Sequence, residues 1–172
     1  MKTVVVYFHG YASSPNSDKV DRLRSAGFDV YSFPIDVNPD ISLPALRDSI
    51  DQMLVGYNDY DTRVVFVGTS LGAWYASVMG VEYDVFSILI NPSFAPNPSL
   101  LKYDVPKDIV EKYFRMEVIT GAKYFIGLED EVLKFDKVML SHLDTTYVEN
   151  AGHRFNGPEF DLVIEYIKGL VK

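Results

Sequence analysis

Six short apolar runs, separated by stretches of helical periodicity, constrain this chain more than any other feature of its sequence. The runs are VVVYF (4–8), DVYSF (29–33), VVFVG (64–68), VFSILI (85–90), KYFIG (123–127) and TTYVE (145–149). Most are nearly continuous in β-branched and aromatic residues. That is the pattern of parallel strands covered on both faces, because a sheet with one wet face alternates apolar and polar residues. Strand and helix signals that alternate along the whole chain predict an α/β fold, with a mostly parallel open sheet, helices on both faces and right-handed crossovers. In such sheets ligands and reacting groups gather at the carboxyl ends of the strands.

The intervening helices have readable ends. After the first run, Asn16 or Ser17 can cap a helix that places Val20 and Leu23 inward and stops at Gly27. A second helix is predicted from Ser42, with Pro44 in its first turn and Leu43, Leu46, Ile50, Met53 and Leu54 on one face. The last is predicted from Pro158, with Phe160, Val163, Ile164, Ile167 and Val171 along one stripe. One connection is longer than the rest. Residues 91–120 are proline-rich at their start, carry a helix signal near 106–115, and are expected to form a small lid over the strand ends.

At 172 residues, 48% of them hydrophobic, the chain is sized for one domain over 1–172. Its 24 acidic residues outnumber 16 scattered basic ones, so no positive face exists to track a phosphate backbone, and nucleic acid is not an expected partner. The absence of cysteine removes disulfides, thiolate chemistry and cysteine-ligated metals. No run has the length of a membrane span and the first residues lack the pattern of a secretory signal, so a cytoplasmic protein is expected. Neither a metal nor an organic cofactor is implied, and the oligomeric state is left open.

The segment RVVFVGTSLGAWYASVMG holds the first chemical signal. Ser70 stands between Gly68 and Gly72, after a strand and before a helix, which is where a serine nucleophile can be held on a sharp turn. The same serine could simply cap the helix. Gly72, Ala73, Ala76 and Gly80 give that helix a stripe with almost no side chains, able to lie close to the sheet. Serine hydrolysis further needs a neutral imidazole, a carboxylate to orient it, and backbone donors for the oxyanion.

Of the three histidines, His153 follows the last strand and is the expected base. His9, in FHGY, is read as anchoring its loop, and His142 as a surface or packing residue. Asp130, in GLEDEV after the fifth strand, is the best-placed acid, with Glu129 and Glu131 as alternatives. The loop FHGYASSP can supply the N–H of Tyr11 to an oxyanion beside that of Leu71. Phe94, soon after the fourth strand, is the expected substrate contact. Each signal alone is weak; their common position at the carboxyl ends of strands, in the order Ser, acid, His, carries the weight.

With these residues in hand, the chain resembles the small bacterial α/β-hydrolase-fold esterases of the YqiA/YcfP type. The likeness runs through YFHGYASSPNSDKV, VGTSLGAWYAS, ILINPSFAP, EDEVL and NAGHRF. It implies Ser70 as nucleophile, Asp130 as acid and His153 as base. It also implies a minimal hydrolase sheet of six strands in the order 2-1-3-4-5-6. Where those proteins carry a second glycine after the serine motif, this chain has Ala73. The expected activity is that of a carboxylesterase or thioesterase on small or short-chain acyl substrates, with a non-catalytic binding module on the same fold as the alternative.

Overall fold

A computed structural model describes residues 2–57, 61–94, 96–113 and 121–170. The strands are β1 (Lys2–Phe8), β2 (Asp29–Tyr31), β3 (Thr62–Thr69), β4 (Ser87–Ile90), β5 (Lys123–Gly127) and β6 (Asp144–Val148). The helices are α1 (Asp18–Ser25), α2 (Pro39–Val55), α3 (Leu71–Tyr83), α4 (Asn97–Lys102), α5 (Lys107–Lys112), α6 (Lys137–Leu140) and α7 (Phe160–Gly169). The sheet order is β2-β1-β3-β4-β5-β6 and every pairing is parallel, as the alternating sequence pattern predicts.

The two faces of the sheet carry two cores. Val4, Val6, Phe8, Phe66, Leu89 and Tyr124 pack on one side with α2 and α3, while Val5, Tyr7, Val65, Val67, Ile88 and Phe125 pack on the other with α1 and α7. Consecutive residues of β1 thus alternate between cores, and Val4, Val5 and Val6 are all fully buried. Each such side chain contributes about 1.5–3 kcal/mol relative to exposure. Phe8 pairs with Gly68 in register, which brings the ends of β1 and β3 level.

Several boundaries differ from the sequence reading. β2 ends at Tyr31 rather than residue 33, an edge strand held only by β1 over three residues and followed closely by Pro34. α2 starts one turn earlier than Ser42, because the Asn38 side chain accepts the Asp40 N–H at 3.0 Å and Pro39 opens the helix. Pro44 therefore lies inside the helix, where its missing N–H leaves free the carbonyl of exposed Asp40. α7 begins at Phe160 rather than Pro158, with Phe160, Val163, Ile164 and Ile167 buried as expected. Val171 lies outside the described residues.

The long connection contains the short helix expected near 106–115, as α5, and a further one, α4, that the sequence reading does not include. It is anchored by buried Leu100, Val105 and Val110 and by an edge-on contact of Tyr113 with Trp74. Residues 114–120 of the expected lid lie outside the described residues.

Candidate active site

Ser70 occupies the turn between β3 and α3 with φ 56 and ψ −120. A non-glycine residue held on that side of the backbone map costs of order 1–3 kcal/mol and persists only when its surroundings over-determine it. Here they do. The Ser70 N–H donates to the Ile90 carbonyl at 3.0 Å, and the Ser70 carbonyl accepts from Ala73 and Ser93, each at 3.1 Å. Gly72 lets α3 enter this close, since a Cβ on it would collide with the backbone carbonyls of Phe8 and His9. Ser70 stands at the N-cap position but its side chain caps nothing, so the helix-cap reading of this residue fails.

The hydroxyl is instead engaged across the molecule. His153 Nε2 lies 2.9 Å from Ser70 Oγ, and His153 Nδ1 lies 2.8 Å from Asp130 Oδ2. An ionised carboxylate only accepts, so Nδ1–H donates to Asp130, and in the neutral ring Nε2 is then the acceptor that faces the serine hydroxyl. Asp130 Oδ1 accepts the N–H groups of Val132 and Leu133 at 2.8 and 2.7 Å. Burial pushes the Asp130 carboxyl up, but the His153 ring bond and those two N–H groups outweigh it and hold the carboxyl below its usual value.

The neighbouring carboxylates do different work. Glu131 accepts the His153 backbone N–H at 3.0 Å, which lowers its own carboxyl and ties the His153 backbone to the Asp130 loop. Glu129 has an exposed side chain and uses its backbone N–H on the Ala151 carbonyl at 3.0 Å. Lys19 Nζ donates to the Arg154 carbonyl at 2.6 Å, and Arg22 holds the Gly157 carbonyl at 2.8 Å, so α1 clasps the His153 loop from outside. Burial, chiefly, brings the Lys19 ammonium down to about 8.

His9 stands outside this chain of hydrogen bonds. Its Nδ1 bonds the Gly10 carbonyl at 3.0 Å, its Nε2 is buried without a partner, and burial holds the imidazole below its usual value. His142 is exposed in the turn after α6.

Leu71 is the first residue of α3, so its N–H belongs to the unpaired donors of a helix N-terminus, where developing negative charge is favoured. Gly10 brings the β1 loop against it: a Cβ there would sit 3.1 Å from the Thr69 carbonyl and 3.4 Å from Ser70 Cβ. Tyr11 is the next residue, and the Ser13 N–H donates to the Gly10 carbonyl at 3.3 Å to close a turn through Tyr11 and Ala12. The Tyr11 ring stacks on Tyr103 of the long connection at 3.5 Å between centroids and 14° between planes. The connection therefore reaches the rim of the site.

A cavity of about 230 Å³ opens beside these two residues, lined by 9–13, 35–37 and Leu71. Its walls combine Ile35, Val37 and Leu71 with the carboxylate-bearing Asp36, and among the described residues no Lys or Arg lines it. The loop 35–37 is fixed: the Asp36 N–H donates to Ser42 Oγ at 2.6 Å, and the Asp36 carbonyl accepts from Ser42 Oγ at 2.8 Å and Tyr75 OH at 3.1 Å. Phe94 does not line this cavity. It stacks on Tyr124 and meets Phe135 edge-on, at 5.9 and 6.2 Å between centroids.

The sequence reading missed the cavity wall at 35–37, the Tyr103 contact and Asn91. Asn91 directly follows β4 and is fully buried, with its side chain bonded to Gly127, Gly152 and His153. A buried asparagine at the carboxyl end of a strand, in NPS, was the available signal.

Among known proteins, the sequence profile of an uncharacterised protein family, UPF0227, matches residues 4–113. The match includes Ser70 and stops short of Asp130 and His153. A UPF0227 protein of Shewanella sediminis (strain HAW-EB3) is 28% identical over 115 residues, which span 63% of this chain and 62% of that protein. Among solved structures, MGS-MChE2, an alpha/beta hydrolase enzyme from the metagenome of lagoon sediments of Mar Chica, Morocco, superposes with a TM-score of 0.70. It is 16% identical, and the match covers 99% of this chain and 92% of that one. An esterase of Pyrococcus furiosus superposes with a TM-score of 0.65 at 17% identity, covering 99% of this chain and 81% of its own. The fold is that of the α/β hydrolases.

Proposed function

We propose that this chain, which belongs to the uncharacterised protein family UPF0227, is a serine hydrolase that cleaves small or short-chain acyl esters or thioesters through an acyl-enzyme on Ser70. The observation that carries the reading is the unbroken hydrogen-bond relay from Ser70 Oγ through His153 to Asp130, built on a strained turn.

In this reading neutral His153 takes the Ser70 proton at Nε2 as Oγ attacks the carbonyl carbon. Asp130 stabilises the imidazolium that forms and keeps Nδ1 protonated. Negative charge gathering on the carbonyl oxygen is met by the N–H groups of Leu71 and Tyr11. His153 then gives its proton to the leaving oxygen or sulfur, and water, deprotonated by the same nitrogen, releases the acid.

The cavity beside Leu71 takes one substituent of the carbonyl. Its volume, about 230 Å³, is below the range of ordinary drug-sized pockets, which supports a small group. Asp36 on its wall and a net charge of −8 favour neutral substrates over anionic ones. Phe94 follows Ser93, whose N–H donates to the Ser70 carbonyl, and is proposed to limit the second substituent. Residues 91–94 and 96–113 serve as a short lid whose Tyr103 rests on Tyr11. A chain without cysteine suits a reducing compartment, in keeping with action in the cytoplasm.

Hydrolysis of p-nitrophenyl esters from acetate to octanoate by the wild type and by Ser70→Ala tests the reading. Turnover by the wild type, highest on the short chains, and none above background by the variant is the expected result. Equal turnover by both proteins would remove Ser70 from the chemistry.

A further inference from the structure

Asn91 is fully buried at the carboxyl end of β4, with φ 42. Its Oδ1 accepts the Gly127 N–H at 2.7 Å, and its Nδ2 donates to the carbonyls of Gly152 and His153 at 3.0 and 3.1 Å. Its own N–H donates to the Phe125 carbonyl at 2.9 Å. Gly127 ends β5 and begins the loop of Asp130, while Gly152 and His153 belong to the loop after β6. One amide therefore spans the loop of the acid and the loop of the base.

We infer that Asn91 is a positioning residue for the reaction, fixing the separation of the Asp130 and His153 loops so that the ring bond between them is set before substrate arrives. The inference rests on the serine hydrolase reading and goes beyond it. The two loops are also joined by their backbones, through Leu128 N–H to Val148 O at 2.9 Å and Glu129 N–H to Ala151 O at 3.0 Å. Those bonds hold the strand ends together. Asn91 supplies what they do not: a tie from β4 to the carbonyl of His153 itself.

The chemistry of the side chain is specific. The site uses one acceptor and two donors, the complement that a primary amide offers and an ionised carboxylate lacks. Asparagine and aspartate both tolerate the left-handed backbone, so the exchange of one for the other changes the donors and little else. Glutamine reaches one methylene further and cannot keep the same three partners.

The test compares wild type, Asn91→Asp and Asn91→Gly by the rate at which a fluorophosphonate probe labels Ser70, across pH, with folding checked by circular dichroism. Glycine accepts the backbone conformation freely, so the second variant keeps the test open should the first fold poorly. Both variants are expected to label on the order of 10² more slowly, the scale of a small misplacement of reacting groups. In Asn91→Asp the new buried carboxyl faces two carbonyl oxygens, which raises its pKa. Protonated, it still donates to one of them; ionised, it repels both. Its deficit relative to wild type should therefore widen as pH rises, while that of Asn91→Gly stays level. The ionisable groups of the two loops it touches, Glu129, Asp130, Glu131, Lys134, Glu149, His153, Arg154 and Glu159, are common to all three proteins.

Labelling of both folded variants within about threefold of wild type, with a pH-independent ratio, would overturn the inference while leaving the hydrolase reading intact. A wild type that the probe does not label would instead defeat that reading, and this inference with it.

Discussion

Asp130 meets the ring of His153 at 2.8 Å with a side chain only 2% exposed, so the carboxylate has almost no water to exchange for the imidazole N–H. Replacing it by asparagine keeps the size and offers Nδ1 an N–H in place of an acceptor. The imidazole then favours the tautomer with its proton on Nε2, aimed at Ser70. Asp130→Asn is expected to lose at least about 10² in kcat, less than the 10⁴ known for the equivalent change in a serine protease. Glu129→Gln and Glu131→Gln should stay within about fivefold of wild type, since an amide oxygen still accepts the His153 N–H and exposed charges are worth little. Measured kcat values for the three amides decide it. A crippled Glu129→Gln beside a normal Asp130→Asn would move the acid.

The same buried groups set the acid sensitivity of the fold. Burial, opposed only by the Gly10 carbonyl, holds His9 below its ordinary value, so the unfolded chain takes up that proton first. Stability is then lost as pH falls below about 6.5, the ordinary histidine value. Asp130, held low, contributes stability that is fully present above about 3.9 and lost as pH falls through its depressed value. Urea midpoints measured from pH 7 downward should decline in both ranges. His9→Gln should flatten the first decline and Asp130→Asn the second. An unchanged slope in His9→Gln between about pH 7 and 5 would contradict the assignment.

What the sequence made legible follows from how local each feature is. The sheet order was implied by the family resemblance and its parallel pairing by strand composition; the registers that level Thr69 with Ile90, Ile90 with Phe125 and Gly127 with Val148 bring the predicted Ser70, Asp130 and His153 within hydrogen-bond reach. The start of α2 differs because Asn38–Pro39 is as good a start signal as Ser42, and in the fold Asn38 caps the Asp40 N–H while the Ser42 hydroxyl bonds Asp36 instead. Asn91 was passed over as part of a proline-rich connection, since its three partners lie 36, 61 and 62 residues away. The cavity wall at 35–37 was hidden for the same reason: it belongs to the connection after an edge strand and gains its position from Ser42 and Tyr75.

The cavity and Phe94 lead to separable outcomes for substrate choice. Val37→Trp fills the space beside Leu71 without touching Ser70, and should shorten the preferred acyl or alkoxy chain while leaving acetate hydrolysis within about threefold. Phe94→Ala removes a ring packed on Tyr124 and Phe135, so it should cost stability, about 3 kcal/mol, as well as broaden chain length. Chain-length profiles and melting curves for both variants separate the walls. An unaltered profile in Val37→Trp would move the substrate out of the cavity.

The most direct test of the central claim is the intact mass of the protein after exposure to a fluorophosphonate probe, followed by peptide mapping. A serine activated by His153 and Asp130 gains one adduct, located on Ser70, and Ser70→Ala gains none. An unlabelled wild type, or an adduct on Ser13, Ser14 or Ser93 that persists in Ser70→Ala, would contradict the account.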